Sequence, residues 1–125
     1  MILGLGIDLC RVSRAAAGIE RPRFLERVYT PAERARIEAA DGPRRGEIAA
    51  GLFAAKEAVA KALGTGFSGF GPWDIEILPD AAGAPRCALA NGAAARAAAL
   101  SKEYRLFVSI THEDGTAAAV AVLEA

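Results

Sequence analysis

Only two cysteines, Cys10 and Cys87, occur among the 125 residues. That is too few for a disulfide framework, and neither has the spacing of a zinc site. Two isolated thiols fit a reducing compartment, so a cytoplasmic location is expected. Net charge is also lacking: 15 basic and 15 acidic residues cancel, which excludes electrostatic nucleic-acid binding by the chain as a whole. No apolar run approaches the roughly 20 residues of a membrane-crossing helix. The opening MILGLGIDLC has neither the basic leader nor the long apolar core of a secretion signal. Neither nucleic acid nor a membrane is therefore an expected partner. Familiar phosphate and nucleophile motifs are missing too. There is no GxxxxGK(S/T), Gly4-Leu5-Gly6 runs into Asp8-Leu9 where a third glycine would be needed, and no GxSxG occurs. These absences exclude a Walker loop, a dinucleotide fingerprint and a serine-hydrolase elbow.

What is abundant is alanine. Apolar residues make up 53% of the chain, and alanine packs helices closely while supplying little buried area per residue. At this length one domain is expected, covering residues 1–125, with a core large enough to need no staples. A subunit interface would add to such a core, so an oligomer is expected. Arginine is unevenly placed: Arg11, Arg14, Arg21, Arg23, Arg27, Arg34 and Arg36 crowd the first third, interrupted by Glu20, Glu26 and Glu33. That segment is either a solvated helix face with local ion pairs or a docking surface for an acidic partner.

Apolar periodicity and turn residues predict strands at 2–9, 73–78, 85–89, 105–112 and 116–123. Helices are expected at 10–17, 22–28, 31–40, 44–63 and 91–101. Thr30, Pro31 and Glu33 spell a helix start with a capping box, and Asp114-Gly115 marks a hairpin. Residues 64–72 form a Gly-rich loop, and loops of that length are more often functional than decorative. Mixed helices and hairpins make the class α+β.

The stretch FAAKEAVAKALGTG, residues 53–66, carries the most chemistry. Glu57 and Lys61 stand four apart, hence on one helical face. As a solvated ion pair they are worth roughly 0.2–0.5 kcal/mol. As a site they place a metal-binding carboxylate beside an ammonium. Gly64 ends the helix, and the Gly64-Thr65-Gly66 backbone can approach a phosphate closely. Asp8, near the end of an apolar strand, needs a partner: a hydrogen bond, or a hard cation such as magnesium. His112, the only histidine, ends a strand and is either structural or a donor to a phosphate or reacting hydroxyl.

Three blocks, GIDLC, FAAKEAVAKALGTG and SITHEDGTAAAVAV, resemble in order and spacing the short bacterial holo-acyl-carrier-protein synthases of the 4′-phosphopantetheinyl transferase family. RFLERVYTPAE and WDIEI fit as well, so the resemblance spans nearly the whole chain. It implies a mostly antiparallel sheet packed on a long helix. The implied activity moves 4′-phosphopantetheine from coenzyme A to a serine of apo acyl carrier protein, releasing adenosine 3′,5′-bisphosphate. By the same resemblance, Asp8 and Glu57 are magnesium ligands, and the ion also holds the coenzyme A pyrophosphate. Lys61 offsets pyrophosphate charge or assists the leaving group. Gly64, Thr65 and Gly66 border the coenzyme, and His112 lies near it. Glu57 is the expected base, directly or through a metal-bound water.

The family's partner is acidic, which favours the docking reading of the arginine segment through Arg14, Arg21 and Arg27. Short members of the family assemble as homotrimers with active sites at subunit interfaces. One departure is visible: Leu52 stands where the family often has arginine, with Arg44 and Arg45 as candidate substitutes. The competing readings are a non-catalytic module that binds coenzyme A or a carrier protein, and a metal-dependent phosphohydrolase. Both cysteines are expected to be packing residues.

Overall fold

Small side chains let a sheet lie directly on a helix, and that contact organises the molecule. The computed structural model describes residues 1–125. The elements are β1 (Ile2–Arg11), α1 (Val12–Gly18), α2 (Pro22–Val28), α3 (Pro31–Ala39) and α4 (Pro43–Ala62). A 3-10 turn (Pro72–Asp74), β2 (Ile75–Pro79), β3 (Pro85–Leu89), α5 (Asn91–Leu100), β4 (Arg105–Glu113) and β5 (Thr116–Glu124) follow.

The main sheet is antiparallel in the order β1-β5-β4, and β2 and β3 form a separate hairpin. Alternate residues of β5, namely Ala117, Ala119, Ala121 and Leu123, are buried. They pack on α4, where Ala54, Ala55, Ala58 and Ala62 are buried too. On β1, a Cβ at Gly4 would lie 1.8 Å from the Ala62 carbonyl oxygen, and one at Gly6 would lie 1.8 Å from that of Ala58. Strand backbone therefore rests on helix backbone. The alanine content sets a short helix–sheet distance, which dispersion contacts reward.

Register decides which residues share that inner face. Asp8 and Ile110 both pair with Ala119, and Cys10 and His112 both pair with Ala117. Asp8, Cys10 and His112 thus point to the α4 side. The outer face carries Leu5, Ile7 and Leu9, which are 64%, 64% and 66% exposed, together with half-exposed Phe107.

Local chemistry explains most element ends. Thr30 Oγ1 accepts from the Glu33 N–H at 3.3 Å, and Glu33 Oε1 accepts from the Thr30 N–H at 2.9 Å, completing the capping box. Asp114 and Gly115 take φ of 49° and 75° in the β4–β5 turn, as a two-residue hairpin requires. Most boundaries lie within a residue of expectation, and two differ by more. The first strand continues through Cys10 to Arg11, because pairing of those residues with Ala117 and Thr116 overrides their helical context. Trp73 lies in the 3-10 turn and not in a strand. There the Gly71 N–H donates to Asp74 Oδ2 at 3.2 Å, and Pro72 opens the turn.

Candidate active site

Close docking of β1 on α4 brings Asp8 next to Glu57 and Lys61. Lys61 Nζ donates to Asp8 Oδ1 at 3.2 Å and to the Ile7 carbonyl at 2.9 Å. Its ion pair is therefore with Asp8 across the helix–strand contact, and the local Glu57–Lys61 pair allowed by their spacing does not form. Gly6 makes this possible, since any side chain there would meet the Lys61 Cβ at 2.9 Å. Lys61 is half-exposed, and Asp8 is 22% exposed.

Burial pushes the Glu57 carboxyl above the usual glutamate range, and the Asp8 charge adds to the shift. Lys61 and Arg14 offset part of it. Two neighbouring carboxylates, with hard oxygen donors from a strand and a helix, suit a divalent cation. No group of three or more His, Cys, Asp or Glu side chains gathers anywhere in the fold. A pair is nevertheless the usual complement for Mg2+, which keeps waters and substrate phosphates in its remaining positions. The residues fit that ion.

The loop after α4 has Gly64 and Gly66 at φ of 83° and 60°, a conformation costly for other residues. It is tied back by the Gly66 N–H to the Ala60 carbonyl at 3.2 Å, and by Arg96 Nε to the Leu63 carbonyl at 2.8 Å. Thr65 is exposed. This loop sits at the carboxyl end of α4, where the helix dipole is negative. A phosphate there must be held by cations such as Lys61, not by the helix.

Arg14 and Arg21 line a small pocket with Cys10, Phe24 and Phe53, and the Arg21 guanidinium lies 5.5 Å over the Phe24 ring. Arg27 is exposed in the last turn of α2 and lies outside that pocket. His112 is not brought to the Asp8–Glu57–Lys61 cluster. It sits on β4, two strand spacings or roughly 10 Å from β1. There it lines a pocket of about 190 Å³ with Arg36, Arg44, Glu47 and Leu52. Its Nδ1 is 3.4 Å from Glu47 Oε2. Leu52 is buried. Of its two candidate substitutes, Arg45 is engaged elsewhere, donating to the Ala40 and Glu38 carbonyls at 2.7 and 3.0 Å. Arg44 alone reaches the pocket.

Residues 4–121 match the family described as ACPS: 4'-phosphopantetheinyl transferase superfamily. The chain belongs to that superfamily. It is 52% identical to a Holo-[acyl-carrier-protein] synthase of Solidesulfovibrio magneticus, the match covering 99% of each. Its fold is similar to the holo-[acyl-carrier-protein] synthase of Neisseria meningitidis, with a TM-score of 0.85, 31% identity and all of both chains covered. The Bacillus anthracis holo-(acyl-carrier-protein) synthase in complex with CoA (3',5'-ADP) superposes with a TM-score of 0.82. It is 35% identical, with 98% of this chain and 96% of that one covered. The expected architecture, an antiparallel sheet on a long helix, is the one this phosphopantetheinyl transferase has.

Sequence reasoning missed one pair. Lys56 of this transferase is buried, and its Nζ lies 2.7 Å from Glu33 Oε1, which is equally buried. A signal existed. Leu52, Lys56, Val59 and Leu63 follow an i, i+4, i+7, i+11 pattern and are all buried, so the lysine falls on the apolar stripe of α4. Cys10 is buried and Cys87 half-buried; burial raises the Cys10 thiol and pushes Cys87 up to about 12. No helix is long and apolar enough to cross a membrane.

Proposed function

We propose that this transferase moves the 4′-phosphopantetheine of coenzyme A onto a serine hydroxyl of apo acyl carrier protein, with Asp8, Glu57 and Lys61 as its reacting centre. The observation that carries the reading is the convergence of these three side chains where β1 meets α4. Asp8 and Glu57 would hold Mg2+, which when bound offsets charge on the pyrophosphate oxygens. Lys61 is half-exposed and can turn from Asp8 to the departing phosphate. Glu57, beside Asp8 where β1 meets α4, accepts the serine proton. The bond from serine oxygen to phosphorus forms as the pyrophosphate bridge breaks, and adenosine 3′,5′-bisphosphate leaves. Gly64, Thr65 and Gly66 border the coenzyme, and the pocket of Arg36, Arg44 and His112 receives its phosphorylated adenosine end.

The test is intact-mass spectrometry of an apo carrier protein incubated with this protein, coenzyme A and Mg2+. A phosphopantetheine mass gain is expected, absent with Asp8→Ala and with EDTA. Coenzyme A binding without any gain would instead make the chain a binding module, and cleavage without an acceptor would make it a phosphohydrolase.

Arg14 and Arg21 flank the Cys10–Phe53 pocket beside Glu57, and that placement favours them as the dock for an acidic carrier. Arg14→Glu should raise the carrier-protein KM about tenfold, or about 1.4 kcal/mol, with a smaller change in the coenzyme A KM. Equal changes in both would remove Arg14 from the docking surface. Arg27, at the far end of α2, contributes less. The exposed Leu5-Ile7-Leu9 face is large and apolar enough to mark a subunit contact. It supports self-association, and the assembly proposed is a homotrimer with active sites at its interfaces and a native mass three times the 12.9 kDa of the chain. Free cysteines and a coenzyme A substrate fit the cytoplasm.

A further inference from the structure

Lys56 Nζ uses all three of its donors inside the protein. It bonds Glu33 Oε1 at 2.7 Å, the Pro72 carbonyl at 2.9 Å and the Ile75 carbonyl. Glu33 is equally committed: Oε1 also accepts from the Thr30 N–H, and Oε2 accepts from the Ile77 N–H at 2.8 Å. Thr30 Oγ1 then donates to Glu76 Oε2 at 2.6 Å. One buried ammonium thus joins the start of α3, the 3-10 turn and the start of β2 to the middle of α4. Desolvating two charges is costly, and apolar residues of similar volume often serve stability as well or better. Stability alone is a weak reason for this pair.

What the pair does geometrically is specific. The carbonyls at Pro72 and Ile75 bracket the turn that closes the 64–71 loop. The near end of that loop is pinned at Leu63 by Arg96. Its far end is pinned by Lys56 at Pro72, and by Asp74, which accepts from the Gly71 N–H and from Asn91 Nδ2. Between these pins stand Gly64, Gly66 and Gly69, all at positive φ, and the loop's own ties are the Gly66 N–H bond to the Ala60 carbonyl and the burial of Phe70, so its ends share in setting its position. Lys56 also directly precedes Glu57. One residue faces the core and the next faces Asp8, so the same helical turn carries the loop anchor and the carboxylate.

We propose that the buried Lys56–Glu33 pair is a positioning device, fixing where the 64–71 loop and the coenzyme phosphates it borders sit relative to Glu57. This rests on the transferase reading above. Neither residue touches the reacting atoms.

Steady-state kinetics and thermal melts of Lys56→Met and of Lys56→Met/Glu33→Gln test it. The single variant leaves a buried unpaired carboxylate and should melt lower. The double variant removes both charges and should recover much of that loss. In both, the coenzyme A KM should stay raised about fivefold or more, with the carrier-protein KM within about twofold of wild type. A coenzyme A KM that returns with stability in the double variant shows a purely structural pair and overturns the proposal, as does a folded Lys56→Met with wild-type KM. Asp74→Asn loosens the same loop end without touching either buried charge and should raise the coenzyme A KM in the same sense. A wild-type value there overturns the proposal even if no Lys56 variant folds. Should the wild type bind coenzyme A but modify no carrier, the transferase reading fails alone, and the same comparison is made on the coenzyme A Kd.

Discussion

Replacing Glu57 by glutamine lowers turnover by about 10²-fold or more while leaving the protein folded. The carboxylate is asked both to hold Mg2+ and to take the serine proton, and an amide does neither well. Its pH behaviour follows from its surroundings. Burial, then the Asp8 charge, lift its pKa above the ordinary glutamate value. The active form is the deprotonated one, which the metal-free protein loses as pH drops through that raised value; bound Mg2+ favours the carboxylate, so the acid limb of kcat/KM should move to lower pH as Mg2+ is raised. Stability runs the opposite way. A carboxyl with a raised folded-state pKa favours the folded protein at low pH and loses that contribution as pH rises through the folded value. At neutral pH Glu57 is thus a small burden on the fold, and Glu57→Gln should melt at the wild-type temperature or slightly above it. Unchanged turnover with normal coenzyme A binding would sink the assignment. A large drop in melting temperature would show that the residue serves the fold instead.

Gly6→Ala is the second large effect. The added Cβ would lie 1.8 Å from the Ala58 carbonyl oxygen and 2.9 Å from the Lys61 Cβ. The first obstacle is helix backbone and cannot rotate away, so β1 must lift from α4. Overpacking of this kind costs about 3 kcal/mol or more, a fall in Tm of roughly 10 °C at this chain length. Activity should fall too, because Asp8 lies two residues along the displaced strand and Lys61 bonds both Asp8 and the Ile7 carbonyl. Calorimetry and the carrier-protein assay on the same sample check both effects. A melting temperature within a few degrees of wild type would mean that the strand and helix have more freedom than this contact allows.

Signals confined to a few neighbouring residues are legible in the sequence alone. Thr30-Pro31-Ala32-Glu33 specifies a helix start because a hydroxyl and a carboxylate three apart satisfy each other's backbone amides. Asp114-Gly115 specifies a turn because its φ values demand those residue types. The α+β class, the family, and the candidate set of Asp8, Glu57, Lys61 and the Gly64-Thr65-Gly66 loop can all be read from motifs and their order. Tertiary structure decided which partner each group took. Spacing offered Lys61 to Glu57, but a bare glycine strand close to α4 offered it Asp8, 53 residues away. The capping role of Glu33 is local, while its pairing with Lys56 depends on α3 and β2 closing over the apolar stripe of α4. Arg45 became a cap for α3, and Arg44 was left to the pocket of His112. Short-range geometry belongs to the residue and its neighbours. The choice of a buried partner belongs to whichever elements the core brings into contact, because a charge taken out of water must bond to whatever it meets there.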